Sequence, residues 1–510
     1  MQLVIVGDRF EQEIKPLVNS FFQNEPVETE IRDFDEEVKN AYVEENRLFY
    51  DGVALDTPEN GLMVYCGEMS YNVAFFENSR VLTLKSGCSH TDRKTYRNRV
   101  ARAIYEILSE KTGKELPWGI LTGVRPTKLV YEQAEAGVSE KEIREHMKSE
   151  YYCSDEKINV SFDVTNRERA LLSEFPYTRE YSLYIGIPFC PTVCAYCSFT
   201  SFPLKGFTEL VEPYLKALFK EIDASSKLFP GRKISTVYFG GGTPTTLSAE
   251  QLKRLIDKVK SSFDLSACRE FTVEAGRPDS INADKLKVLK ECGVGRISIN
   301  PQSMNDKTLE AIGRRHNSQQ IRDAFALARE YGHDNINMDI ILGLTGETPD
   351  DVAYTLEEIR KLSPDSLTVH TLALKRAARL NIEGRRFKDI GADNVSEMLH
   401  ISSKFAREHD YRPYYLYRQK NMAENLENVG YARVGKESLY NILIMEEKQT
   451  ILALGAGGSS KFVYQGVNPS DGVRIERVEN VKNVNHYIER IDEMIERKAV
   501  FLAENSEDLF

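Results

Sequence analysis

Three cysteines, Cys190, Cys194 and Cys197, stand within the stretch "YIGIPFCPTVCAYCSF" (Tyr184 to Phe199), and five others are scattered through the remaining chain. Three thiolates this close bind a zinc ion or an iron–sulfur cluster. A structural zinc site takes four ligands, and no further Cys/His pair with finger spacing follows here. A catalytic zinc site accepts three protein ligands but normally includes histidine. A [4Fe–4S] cluster on three cysteines leaves one iron open to an exogenous ligand, and the spacing favours it over buried unpaired thiols. A second candidate is "GGGTP", Gly240 to Pro244. Consecutive glycines let a ligand approach the backbone, and free N–H groups can hold a carboxylate, although a glycine turn after a strand is common. A third is the basic run "LALKRAARLNIEGRRF", with Lys375, Arg376, Arg379, Arg385 and Arg386, in a chain of net charge −11. Such a run either pairs with carboxylates of a substrate or is a solvated helix face.

The elements around these residues give them a common position. From Tyr181 the chain alternates apolar runs ("SLYIGIPF", "ISTVYFGGG", "EFTVEAG", "RISINPQS", "NINMDIILGL", "SLTVHTLAL") with helical patterns such as "SAEQLKRLIDKVKSSF" and "TPDDVAYTLEEIRKL". Ser248 before Gln251 and Asn282 before Asp284 read as helix starts. Successive strand–helix units predict a parallel sheet, either an incomplete barrel or a doubly wound sheet. Chemistry in a barrel sits at the C-terminal ends of the strands. Cys190 closes the first of these strands and the glycine turn closes the second, so both fall on that face.

Upstream, short strand-like runs occupy the first ninety or so residues, followed by an amphipathic helix with Val100, Ile104, Ile107 and Leu108 at helical spacing. "LPWGILTGVRPTKLV" holds the only tryptophan, Trp118, and two acidic helix-prone segments run on to about Phe175. The chain is therefore expected to divide into an N-terminal α+β domain over 1–175 and the strand–helix repeat over 180–400.

The 510 residues, 41% apolar and 28% charged, have the composition of a globular protein. Their negative charge disfavours nucleic acid and anionic membrane. Asp8 and Glu11 interrupt any signal-peptide core, no apolar run reaches the length of a membrane span, and the cysteines form no secreted disulfide pattern. A cytoplasmic chain with reduced thiols is expected.

The Cys-x3-Cys-x2-Cys spacing, with Tyr196 before its last cysteine, and GGGTP after the second strand resemble the radical S-adenosylmethionine (SAM) superfamily. "YIGIPFC" is similar to the oxygen-independent coproporphyrinogen III oxidase (coproporphyrinogen dehydrogenase) family, over about residues 180–470, and the long N-terminal part suggests a longer subgroup. The resemblance implies an α/β fold: a partial (β/α)6 barrel with an N-terminal α+β domain and a C-terminal α/β extension, a substrate-covering region over 401–510. It implies a [4Fe–4S] cluster on Cys190, Cys194 and Cys197 whose open iron chelates SAM. Tyr184, Tyr196, Gly241, Glu274, Ala373 and Ser459 fall at positions contacting this SAM. Gly242, Thr243, Gln302, Arg314 and Asp339 fall at those of a second SAM. Taken alone, Gln302 and Asp339 read equally as structural polar residues, and Arg314 as a surface cation.

The implied partners are a tetrapyrrole and an electron donor such as flavodoxin or ferredoxin, with no nucleic acid, no membrane span and a monomeric state. The implied activity is oxidative decarboxylation of coproporphyrinogen III propionates to vinyl groups in heme biosynthesis, through a 5′-deoxyadenosyl radical. The alternatives are a radical SAM enzyme on another tetrapyrrole, such as a heme-opening methyltransferase, and a non-enzymatic heme-delivery protein. Gly186 stands where the enzymes have histidine and Ser198 where they have a further cysteine; both bear on the porphyrinogen step. In "ESLYNILIM", Tyr440 replaces the histidine of the heme-chaperone relatives' His-Asn-x-x-Tyr-Trp. Because the cysteine loop lies on another strand, substitutions in the basic run are expected to leave SAM cleavage unchanged.

Overall fold

The computed structural model describes the chain except residues 8, 9, 23, 24, 34–37, 39, 69, 89–91, 124, 376, 377, 386, 392, 393, 420, 421, 423, 425, 465–473, 506–508 and 510. The described residues cluster into two compact units, Met1–Phe162 with Arg418–Leu426, and Asp163–Tyr417 with Glu427–Phe510. The first boundary therefore falls before the expected 175, within the helix Asp155–Leu172.

In the first unit the strand Gln2–Val6 runs parallel to both Glu28–Arg32 and Gly61–Cys66, and an antiparallel meander through Ser70–Glu77 and Arg80–Cys88 completes a five-stranded sheet. The helix Arg93–Thr112 buries Val100, Ile104, Ile107 and Leu108, as its spacing predicts. Asp92 caps its N-terminus by accepting from the N–H groups of Lys94 and Thr95, and Gly113, at φ 66°, ends it. Trp118 is buried in the same unit.

The second unit is built on one eleven-stranded sheet. Six strands lie side by side in chain order and parallel: Tyr181–Ile187, Ile234–Gly241, Glu270–Gly276, Arg296–Ile299, Ile336–Leu342 and Ser366–Thr371. Their near-continuous apolar burial is that of strands covered on both faces. Helices connect them, and the capping signals hold. Ser248 and Gln251 form a reciprocal capping box, and Asn282 accepts from the Lys285 N–H.

Strands of the region 401–510 extend both edges of this sheet. Asn428–Ala432 pairs antiparallel with Ser366–Thr371, and Arg412–Tyr417 lies outside it. On the other edge Ile451–Leu454 adds a seventh parallel strand beside Tyr181–Ile187, followed by Ser459–Val463 and Ile475–Glu479. No described helix is long and apolar enough to cross a membrane.

Candidate functional site

The cysteine loop leaves the first parallel strand through a short bridge, where Phe189–Cys190 pairs with Phe202–Pro203 and closes the loop on itself. Cys190 and Cys194 are buried and Cys197 is partly exposed. Burial pushes the Cys190 thiol up to about 12, opposed by Thr243, whose Oγ1 donates to Cys190 Sγ at 3.5 Å. Burial likewise raises Cys197. Bare thiolates at Cys190 and Cys197 are therefore disfavoured, and a bound cation is what would hold these two deprotonated.

The glycine turn sits directly against this loop. The N–H groups of Gly242 and Thr243 donate to the carbonyls of Ile187 and Phe189, both at 2.7 Å. Gly241 has φ +103°, and a Cβ on Gly242 would stand 2.6 Å from the Phe189 carbonyl oxygen, so the close approach requires glycine at both.

Glu274, on the third strand, accepts from the Tyr238 hydroxyl at 2.6 Å. Burial pushes its carboxyl up to about 7, with the nearby Asp339 adding to the rise and Tyr238 and Arg296 opposing it. Tyr238 stacks on Tyr440 with ring centroids 4.4 Å apart, and Tyr184 stacks beside both.

Gln302 lies just beyond the fourth strand, as a single bridge against Ile340 of the fifth. Its N–H donates to the Asp339 carbonyl at 2.9 Å, and its own carbonyl accepts from Ile341 at 3.0 Å. This pins Gln302 at φ 66°, a conformation costly for a non-glycine residue, while its side-chain oxygen is buried without a partner among the described residues. Ser298 Oγ, Asn300 Oδ1 and Arg314 Nε are orphaned in the same way. Arg314 is buried, donates to the Asn300 carbonyl, and reaches the Tyr196 hydroxyl at 3.2 Å. It thereby ties the cysteine loop to the end of the fourth strand. Burial would raise the Asp339 carboxyl, but His370, 3.8 Å away, with Asn337 and Thr368 outweighs it and holds the group below its ordinary value.

Two expected residues sit more loosely. Ala373 lies two positions beyond the sixth strand, half-buried. Ser459 is exposed at the start of its strand, although its loop touches the cysteine loop: a Cβ on Gly457 would be 2.8 Å from Thr200 Oγ1. No hydrogen bond joins the Ser459 side chain to a cysteine among the described residues.

The basic run corrects one expectation. Arg376 and Arg386 lie outside the described residues, but Lys375 does not keep to its own strand's territory. Burial lowers its pKa, Cys197 opposes the fall, and its ammonium lies 5.6 Å from the Phe199 ring centre. The Leu380 N–H donates to the Ala195 carbonyl at 3.1 Å. Lys375 and Leu380 thus lie against the cysteine loop, so lying on another strand does not by itself separate these two residues from it. Sequence reasoning also passed over Tyr238, His370 and Arg277. Arg277 is visible in "TVEAGRP", but an arginine after a strand ordinarily reads as a surface cation.

The donor set fits a [4Fe–4S] cluster. Three thiols sit on one closed loop, and Thr243 and Arg277 bring donors to within 3.5 and 4.0 Å of two sulfurs. No three His, Cys, Asp or Glu side chains among the described residues close on a single-ion site. A cluster makes no such demand, since its irons take separate thiolates.

Residues 184–359 match the radical SAM superfamily. The oxygen-independent coproporphyrinogen-III oxidase-like protein HemZ of Bacillus subtilis is 42% identical over 413 residues, covering 80% of this chain and 81% of HemZ. The chain belongs to the oxygen-independent coproporphyrinogen III oxidase-like family of the radical SAM superfamily. Heme chaperone HemW of the same organism is 34% identical over 61% of this chain and 76% of HemW. Among solved structures, the Escherichia coli coproporphyrinogen III oxidase HemN superposes with TM-score 0.50 at 24% identity, covering 64% of this chain and 73% of HemN, a likeness of fold. Membership of this family implies a [4Fe–4S] cluster and SAM, and the six parallel strands are its partial (β/α)6 barrel.

Proposed function

We propose that this protein removes CO2 from tetrapyrrole propionates, converting coproporphyrinogen III to protoporphyrinogen IX. Each of the two propionates converted gives up a hydrogen atom from its β-carbon to SAM, one electron to an external one-electron acceptor, and CO2, and leaves a vinyl group. The observation that carries the reading is Arg314. It connects the cysteine loop at Tyr196 to a barrel mouth where several buried polar atoms lack partners among the described residues. Such atoms favour a polar ligand lodged next to the loop.

Cys190, Cys194 and Cys197 would hold the cluster. When bound, the cluster supplies one electron to SAM, and SAM supplies the acceptor of the hydrogen atom. Glu274 and the glycine turn would hold the amino and carboxylate ends of that SAM, with Tyr184 and Tyr196 flanking it and Ala373 and Ser459 contributing further contacts. A cationic amino group beside Glu274 would draw its pKa back down and favour the carboxylate. Gly242, Thr243, Gln302, Arg314 and Asp339 would bind a second SAM. Lys375 and Arg379 would meet propionates, for which arginine's planar fork is suited. An electron donor of the flavodoxin or ferredoxin class would serve the loop, in a cytoplasmic, monomeric protein.

The competing reading is heme delivery, favoured by the likeness to proteins named heme chaperones. Tyr440, at the position of their histidine, is buried and stacked on Tyr238, which leaves it poorly placed to ligate heme iron. Anaerobic incubation of the reconstituted protein with SAM, reductant and coproporphyrinogen III, read by mass spectrometry, separates the two. Decarboxylated product that requires SAM is expected. Tight heme binding with no such product would replace this reading by the second.

A further inference from the structure

A buried guanidinium behind the cysteine loop has no part in the function above. Arg277 follows the strand Glu270–Gly276 and is 3% exposed. Its Nη1 donates to the carbonyl and hydroxyl oxygens of Thr192, at 2.9 and 2.7 Å, between Cys190 and Cys194. The same nitrogen lies 4.0 Å from Cys194 Sγ. On its far edge Nε and Nη2 meet the two carboxylate oxygens of Asp279 at 2.9 and 2.6 Å. Behind Asp279, at 3.5 Å, stands His316 with a fully buried side chain.

The arrangement is directional. The cationic end faces the sulfur and the anionic end faces away, so the pair's field stabilises negative charge at Cys194. The bidentate contact with Asp279 fixes the plane of the fork, and Thr192 fixes its reach: the hydroxyl that accepts from Arg277 donates onward to the Gly313 carbonyl at 3.2 Å. Outer groups of this kind tune iron–sulfur potentials.

We propose that Arg277, oriented by Asp279 and backed by His316, is a positioning residue that raises the reduction potential of a cluster held by the cysteine loop. The proposal rests on the reading of Cys190, Cys194 and Cys197 as cluster ligands. In the reduction one electron enters from an external donor, no bond is made or broken, and Arg277 stabilises the charge added near Cys194.

The test uses the full chain, reconstituted anaerobically, with dithionite as reductant, redox-poised electron paramagnetic resonance for the midpoint, and iron content measured alongside. Arg277→Gln should keep its iron and show a reduced-to-oxidised ratio about tenfold lower at a fixed potential, a downward shift of about 59 mV for a one-electron couple. Arg277→Lys, which keeps the charge but loses the fork, should fall between the two. Both variants loaded with iron at the wild-type midpoint would overturn the proposal. If Arg277→Gln fails to take up iron, Arg277→Lys decides alone: a lowered midpoint supports the proposal and an unchanged one overturns it. A wild-type chain that takes up no iron would overturn the cluster reading itself, a different result from a loaded cluster whose potential does not move.

Discussion

Two buried polar clusters in the second unit follow opposite rules. Behind the loop that follows Ile451–Leu454, Lys498 and Glu221 have no exposed side-chain surface, yet their polar atoms are paired. Lys498 Nζ donates to Glu221 Oε1 at 2.8 Å and to Asn480 Oδ1 at 2.6 Å, and Glu221 also accepts from the Gly455 N–H, Asn480 and Tyr487. At the barrel mouth, Ser298, Asn300, Gln302 and Arg314 each carry a buried polar atom with no partner among the described residues. An orphaned buried polar atom costs about 1–3 kcal/mol. The mouth therefore has a penalty that a polar ligand would remove, while the Lys498 cluster has nothing to gain from one. Satisfaction, more than charge, separates these two clusters.

The comparison breaks most sharply at the cysteines. Replacing Cys190, Cys194 or Cys197 by alanine should abolish iron retention, where the wild type holds about four irons per chain. Replacing Cys66, Cys88, Cys153, Cys268 or Cys292 should leave iron in place. Iron analysis after anaerobic reconstitution checks this, and loss of iron from any of the latter five would redraw the ligand set.

The scaffold cluster should respond in stability alone. Lys498→Met leaves the Glu221 carboxylate buried without its cation and should cost about 3–5 kcal/mol in urea unfolding. Adding Glu221→Gln to that variant should recover part of the loss. A single variant as stable as the wild type would remove the contrast with the mouth.

Glu274 gives the comparison a pH dependence. Its folded pKa of about 7 lies above the ordinary 4.5. The folded state thus binds the extra proton between these values, so its contribution is fully present below about 4.5 and is lost as pH rises through about 7. Melting of the ligand-free protein should fall with pH across that window, and the fall should be smaller in Glu274→Gln. Equal slopes for the two proteins would place the titration elsewhere.

Smaller effects sharpen the remaining boundary. Lys375→Ala should raise the KM for coproporphyrinogen and also alter SAM cleavage without substrate, because Lys375 lies over Phe199 of the cysteine loop and within the electrostatic reach of Cys197. Arg379, exposed and 3.6 Å from Glu383, should alter substrate KM only, with at most about 1 kcal/mol in stability. At the mouth, Gln302→Ala should change stability by less than about 1 kcal/mol, because the removed oxygen makes no protein bond, yet reduce the number of SAM bound per chain in equilibrium dialysis. A large stability loss without a change in SAM binding would move Gln302 into the scaffold class.

The sequence by itself determined the local elements and the order of the chemistry along the chain. Val100, Ile104, Ile107 and Leu108 face inward because a helix of their spacing has one apolar face. The apolar runs from Tyr181 onward became the six parallel strands, and the cysteine loop and glycine turn met because each ends a neighbouring strand. These signals are carried by contiguous residues, so they survive without knowledge of the fold. Only the tertiary structure decided that Ile451–Leu454 would dock beside Tyr181–Ile187, and that Arg418–Leu426 would cluster with the first unit. It also turned Arg277, Lys375 and Tyr440 from residues that read as surface or unassigned into parts of the cysteine loop's surroundings or of the Glu274 stack. Those outcomes depend on pairings between segments far apart in the chain, whose free energy comes from burial and hydrogen bonds that no single segment contains.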